Sequence, residues 1–433
     1  MSEVLMRRIV TNIVIVLVRA KNIVISFFSE YVLFIVSTII YQGARFVSSI
    51  IAAKILGPST FGIWNILSLV ITYGSVVHLG VINAMNREVP FYQGKGDFHK
   101  IDDIRRNTLG FVLISTLCGC FILIILSLFI SDDMRKYLLL TVFLFSANQL
   151  YVYIQAYLKA DVNFKFLSYL QIIFSFVLLV MSIFLTLKLG LSGFIIAQFG
   201  AIIIVYVLVL KSKIIKWSWQ FNSKNIAQLI KIGFPIMMVG LLYSFLTTLD
   251  RWIILHFLGI KQLGYYTLSI MVVGIFTLAP SAISQQIYPI MARAFGQNSN
   301  LSDLIRWCIR QIVMGIGITI PLLLFMFFVF PFFVKTYLYE YYPGLLSMKI
   351  TLIGMVFFPL ASAFGNLLNV INKQVYYMIV QFFVLLVNLL VSTFLIYRGW
   401  GINGVALGTS VSYLVYVLLL AIIVKNMLKN NVG

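Results

Sequence analysis

Twelve long apolar runs follow one another between residues 29 and 424, parted only by short polar breaks. They lie near 29–53, 61–85, 107–130, 136–158, 165–187 and 191–210, then near 233–257, 264–289, 311–334, 346–371, 374–397 and 402–424. A helix needs about 20 such residues to cross the hydrocarbon core of a bilayer, and within that core every backbone polar group must find its partner inside the helix. The chain is therefore expected to be an all-α integral membrane protein of about 12 transmembrane helices. Composition agrees, since 61% of the residues are hydrophobic and 10% charged, against roughly 25% charged in soluble domains. The longest gaps, 86–106, 211–232 and 290–310, are too short to house a soluble domain.

The net charge of +20 is strung between the apolar runs rather than gathered on one polar module, so a nucleic-acid partner is not expected. Its distribution sets an orientation instead. With the N-terminus inside, the inner loops and termini collect 22 basic residues and the outer loops 8, and Arg45 and Arg251 remain within spans. Both termini are expected on the cytoplasmic side of the cell membrane. Residues 9–18, between Arg8 and Arg19, are too few to span and predict an interfacial helix rather than a removed signal peptide. Cys118 and Cys120 stand two positions apart on one apolar helix and face away from each other. They and Cys308 predict buried thiols, with no disulfide or metal site.

A short motif is written twice. AKILGPSTFGIW holds Leu56, Gly57, Gly62 and Trp64, and IILHFLGIKQLGYY holds Leu258, Gly259, Gly264 and Tyr266, an offset of 202 residues. A second echo, GLSGFIIA at 190–197 and GINGVALG at 401–408, is offset by 211. Matching marks in order predict a duplicated six-helix unit. An even number of spans per unit gives both halves one orientation, related by a pseudo-twofold along the membrane normal. The division is then an N-terminal cytoplasmic or interfacial segment 1–28, a six-helix lobe 29–210, a cytoplasmic linker 211–232, a second lobe 233–424 and a cytoplasmic tail 425–433. Gly57 before Pro58 predicts a helix end, because glycine tolerates the left-handed terminal position and proline cannot continue the turn. Gly62 and Gly264 predict close helix approach.

Residues 53–64, the following GVINAMNREVPFYQGKGD at 80–97 and the halving into two sixes resemble the polysaccharide-biosynthesis flippases of the Wzx type. Their superfamily, MOP, also contains MATE drug exporters and lipid II flippases. The resemblance implies two six-helix lobes around a central cavity. It further implies transfer of an undecaprenyl-pyrophosphate-linked oligosaccharide, such as an O-antigen repeat unit, from the cytoplasmic to the outer leaflet. It implies a monomer among membrane lipids, with no cofactor, with H+ or Na+ as candidate coupling ion and polysaccharide polymerase machinery as candidate partner.

Such a cargo carries an anionic pyrophosphate and a polar sugar head, so ionisable residues within spans are the first candidates. Arg45 lies 12 residues before Gly57, about 18 Å below the corner at 1.5 Å per residue. Tyr41, Gln42, Ser48 and Ser49 flank it at helical spacing. Arg251 lies 8 residues before Gly259, with Asp250 beside it. Arg45 and Arg251 are the expected anion-binding residues, and Asp250, Glu30 and His78 the candidates for coupling or cavity lining. Asp161, in KADVNFK, is expected to be solvated, and NREVP at 86–90 to belong to a gate or loop. Asn148, Gln149, Gln155, Gln171, Gln285, Gln286, Asn366, Asn369 and Asn388 supply polar edges that spacing does not sort into cavity and helix–helix contact.

A MATE-like ion-coupled multidrug exporter is the alternative, and would favour acidic cavity residues. An enzyme is not expected: the outer loops are only a few residues long, and no phosphate-binding G-x-x-x-x-G-K-[ST] pattern occurs.

Overall fold

The computed structural model describes the backbone of residues 2–298, 301–371 and 373–430, and most side chains between residues 33 and 427. Glu30, the run 9–18, Gln285 and Gln286 lie outside the described side chains.

Every regular element is helical among the described residues. The N-terminal part comprises α1 (Ser2–Gly74), α2 (Val81–Lys95), α3 (Phe98–Ser127), α4 (Asp132–Ala160) and α5 (Phe164–Ser212). The C-terminal part comprises α6 (Ser223–Leu246), α7 (Leu249–Phe257), α8 (Ile260–Tyr265), α9 (Thr267–Asn298), α10 (Leu301–Phe328) and α11 (Phe330–Tyr337). It continues through α12 (Leu345–Met355), α13 (Phe358–Val370), α14 (Gln374–Tyr397) and α15 (Gly401–Asn430). Among the described residues, ten stretches are long and apolar enough to cross a membrane. The protein is a multi-pass membrane protein.

Ten stretches differ from the twelve separate helices expected, because α1 and α5 each carry two of the expected spans. The chain bends inside α1 at Gly57, φ 69°, and inside α5 at Gly190, φ 58°. Only glycine enters that left-handed region without strain, so two spans are joined without a loop. The two bent helices run side by side in parallel. Ser37 Oγ donates to Gln171 Oε1 at 2.8 Å, and the Ser48 and Ser182 hydroxyls bond at 2.7 Å, both pairs 134 residues apart. Beyond the bends Trp64 meets Phe194 edge to face at 5.0 Å. The second limb of α1 ends at Gly74, so the span expected near 61–85 stops earlier, and α2 is a separate, polar helix that carries NREVP.

The second echo is also conformational. Gly401 has φ 52°, close to the 58° of Gly190. Three residues on, Gly193 and Gly404 sit where a Cβ would stand 1.9 Å from the Leu185 oxygen and 2.8 Å from the Leu395 Cβ.

Two other expected spans are interrupted. The run 233–257 breaks at Thr247 and Thr248 between α6 and α7, and 346–371 breaks between α12 and α13, where Pro359 opens α13. Helix α6 starts at Ser223, inside the expected linker 211–232, which leaves 213–222 as the connection. That connection is pinned to α3. Gln220 N donates to Arg106 O at 3.1 Å, Asn222 N to Asn107 Oδ1 at 2.8 Å, and Asn225 Nδ2 to Asp103 Oδ2 at 2.9 Å.

Asp161 is not merely solvated: Arg105 forms an ion pair with it, Gln93 Nε2 donates to it at 3.0 Å, and Tyr157 lies 4.3 Å from the Arg105 guanidinium. The two α3 cysteines also differ from expectation. Only Cys308 is buried, whereas Cys118 is exposed and Cys120 half-buried. Cys118 lies on the apolar outer face of α3 with exposed Leu117 and Phe121, as a helix that spans a bilayer on the rim of a bundle requires.

Candidate functional site

A cavity of about 390 Å³ lies between the N-terminal and C-terminal parts. Both limbs of α1 line it, Tyr41–Ser49 before the bend and Phe61–Thr72 after it. This is possible because the chain reverses at Gly57. Helices α4 and α5 contribute Asn148, Tyr151 and Gln198, while Arg251 of α7 and Thr267, Met271 and Gly274 of α9 form the opposite wall.

Arg45 and Arg251 therefore share one cavity although 206 residues separate them, and no carboxylate among the described residues lines it. Neither guanidinium has a carboxylate within 4.0 Å among the described residues. Arg45 rests 5.8 Å from the Tyr41 ring, and the buried Arg251 Nε has no hydrogen-bond partner among the described residues. Intramembrane arginines ordinarily pair with acids or backbone carbonyls. The two arginines, neither in an ion pair among the described residues, line the same half-apolar space.

The stripe Tyr41, Gln42, Arg45, Ser48 and Ser49 lines the cavity as a unit. The first wall of the site was thus legible in the spacing of α1. Asn65, Ser68 and Thr72 of the second limb were missed. They stand at steps of three and four, but each is small and two of their hydroxyls are turned to the backbone: Ser68 Oγ donates to Asn65 O at 2.7 Å and Thr72 Oγ1 to Ser68 O at 2.8 Å.

The other candidates lie elsewhere. Asp250 is buried behind the cavity wall, and its Oδ1 accepts the Arg251 backbone N–H at 2.8 Å without a side-chain ion pair. His78 is buried beyond the end of α1, where its Nδ1 accepts the Gly80 N–H at 3.1 Å. It caps a turn and does not line the cavity. Several of the polar residues left unsorted are helix–helix contacts: Gln149 Nε2 donates to Gly74 O at 2.6 Å, and Asn388 Nδ2 to Thr409 Oγ1 of α15 at 3.5 Å.

One end of the cavity is closed by the repeated motif. A Cβ on Gly62 would lie 2.4 Å from Ile260 O, and one on Gly264 would lie 1.9 Å from Pro58 O. The two contacts are reciprocal, since Ile260 and Pro58 occupy the same place in the two copies of the motif. Glycine permits this because backbone touches backbone, and any side chain would part the corners.

Residues 51–347 match the model of the polysaccharide biosynthesis protein family. The chain belongs to this family. This agrees with the resemblance to polysaccharide-biosynthesis proteins that residues 53–64 and 80–97 carry. A putative O-antigen transporter of Shigella flexneri is 22% identical over 289 residues, covering 61% of this chain and 68% of that protein. Two solved structures share the fold of this family member. An inward-facing multidrug resistance MATE transporter of the MOP superfamily superposes with a TM-score of 0.73 at 14% identity, over 90% of this chain and 96% of that one. The lipid II flippase MurJ, in an inward closed conformation, gives a TM-score of 0.72 at 18% identity, over 91% and 87% of the two chains.

Proposed function

We propose that this member of the polysaccharide biosynthesis family flips an undecaprenyl-pyrophosphate-linked oligosaccharide across the bacterial inner membrane. The observation that carries the reading is the cavity in which Arg45 and Arg251 meet without a lining carboxylate. Arg45 and Arg251 hold the pyrophosphate, or an acidic sugar, by charge-assisted hydrogen bonds. The amides and hydroxyls of Gln42, Asn148 and Gln198 replace water around the sugar head, and the lipid tail stays in the bilayer. A drug exporter that selects cations would need the opposite polarity in the same place.

With the basic loops inside, the corners at Gly62 and Gly264 belong to the outer surface, and the cavity of this conformation is shut toward that side. Transport then proceeds by rocking residues 29–210 against 233–424, which parts the corners and turns the cavity outward. The buried Asp250 is the candidate for coupling this motion to H+ or Na+. The protein works as a monomer beside the polymerase machinery that consumes its product, and itself catalyses no covalent step.

The test is a deletion strain complemented with wild type or Arg45→Ala at equal protein level, scored for surface polysaccharide and for the sidedness of the lipid-linked sugar in membrane vesicles. Deletion should strand the sugar on the cytoplasmic face, wild type should release it, and Arg45→Ala should not. Unchanged surface polysaccharide on deletion, in a strain with no second flippase, would overturn the assignment.

A further inference from the structure

A second cavity of about 270 Å³ lies wholly within the C-terminal part, between α6, α9, α13, α14 and α15. It is near the lower end of ligand pockets, which run from about 300 to 1,000 Å³. Its lining differs in kind from that of the first. Among the described residues no Asp, Glu, Lys, Arg or His lines it, so its lining offers neither a phosphate nor an organic cation a charged partner. Instead Tyr243, Tyr377 and Tyr416 line it beside serines and asparagines.

One part of this polar lining is committed to structure. Asn366 Nδ2 donates to Gln311 Oε1 at 3.0 Å and to Ser284 Oγ at 2.8 Å, and Ser284 Oγ donates to Asn366 Oδ1 at 3.0 Å. This network fixes the wall. Another part is unspent: the Ser281 hydroxyl and the Asn369 amide line the cavity and make no hydrogen bond among the described residues. Flat apolar ring faces next to uncommitted amide and hydroxyl groups, without charge, are what the C–H faces and hydroxyl edges of a pyranose ring require.

The two cavities are joined by the elements that wall them. Along α9 the residues Thr267, Met271, Gly274 and Leu278 line the first and Ser281 the second, in steps of four, three, four and three. That spacing keeps all five on one helix face. Tyr243 of the second cavity precedes Arg251 of the first by eight residues, across the break between α6 and α7. A chain of sugars anchored at its charged end by the arginines therefore has a continuous helix face to follow.

From this we infer that the C-terminal cavity is a subsite for an uncharged sugar residue of the cargo, distal to the anionic end held by Arg45 and Arg251, with Ser281 and Asn369 as its polar contacts. The inference rests on the proposed flippase reading for the identity of the cargo, but not for the chemistry of the pocket.

The test uses the purified full-length protein in lipid nanodiscs and three probes. These are the lipid-linked oligosaccharide extracted from the deletion strain, undecaprenyl pyrophosphate without sugar, and the free oligosaccharide released from the first by mild acid. Asn369→Leu and Ser281→Leu, each shown to keep the wild-type melting temperature, should weaken the sugar-bearing lipid about tenfold, roughly 1.4 kcal/mol, and leave undecaprenyl pyrophosphate unchanged. Arg45→Ala should weaken both lipids. Equal weakening of both lipids by the two leucine variants, or none, overturns the subsite. If neither lipid binds the wild type while the free oligosaccharide binds at millimolar concentration and loses affinity in Asn369→Leu, the flippase reading fails and the sugar pocket stands. If the free oligosaccharide does not bind either, both fail.

Discussion

Asn65 Nδ2 donates to Thr267 Oγ1 at 2.7 Å, and the two residues stand 202 positions apart, the offset that also separates Gly62 from Gly264. Equivalent residues of the two motif copies thus touch each other. A contact of a residue with its own counterpart marks a local twofold relation between the two corners. The hydrogen bond lies one turn inward of the glycine contacts and, since both partners line the cavity, forms its roof.

Gly62→Ala and Gly264→Ala should open this roof. An added methyl cannot be absorbed where the nearest atom is a backbone oxygen at 2.4 or 1.9 Å, and overpacking of this kind costs about 1–3 kcal/mol. A cysteine placed at Thr267 is expected to react faster with a membrane-impermeant maleimide applied from outside in either variant than in the parent. Equal labelling rates would show that the corners do not form the seal.

Arg45→Lys keeps the charge but loses the planar fork that matches a phosphate. Partial rescue of surface polysaccharide is expected, between wild type and Arg45→Ala, and Arg45→Glu should abolish it at unchanged protein level. Quantitative gel analysis of the polysaccharide gives the order of the three. Full activity of the glutamate variant would rule out an anion at this position.

His78 serves the chain turn after α1, not the cavity. His78→Asn, which retains an acceptor for the Gly80 N–H, should keep at least half of wild-type transport, and the pH profile of flipping in proteoliposomes should not move. A shifted profile would restore His78 as a coupling group.

Asp161→Asn removes the charge that Arg105 and Gln93 share at the junction of α2, α3 and α4. The Arg105 side chain is only 15% exposed, so it would be left partly buried and unpaired, at about 1–3 kcal/mol. The melting temperature in detergent should fall, whereas Asp132→Asn, whose carboxylate is 88% exposed, should leave it unchanged.

Much of this architecture is written in the sequence because the bilayer is a strict solvent. Apolar runs, basic loops and the two glycine corners each follow from the cost of exposing backbone or charge to hydrocarbon, a cost that depends on local sequence alone. The same cost made Arg45 and Arg251 visible as candidates. That both line one space was expected from the resemblance and not from spacing, and the burial of Asp250 behind its wall was not legible, because helix rotation is set by the partners a helix packs against. For the same reason Asn148 and Gln149, adjacent in the chain, have separate fates, one lining the cavity and the other bonded to Gly74. Joining of spans through Gly57 and Gly190 depended on how tightly α1 and α5 lie together. The sequence by itself determined where the chain crosses and which side chains are costly there. Tertiary packing decided which of them face one another, since five helices spread over residues 223–430 must be assembled before a cavity such as the C-terminal one exists.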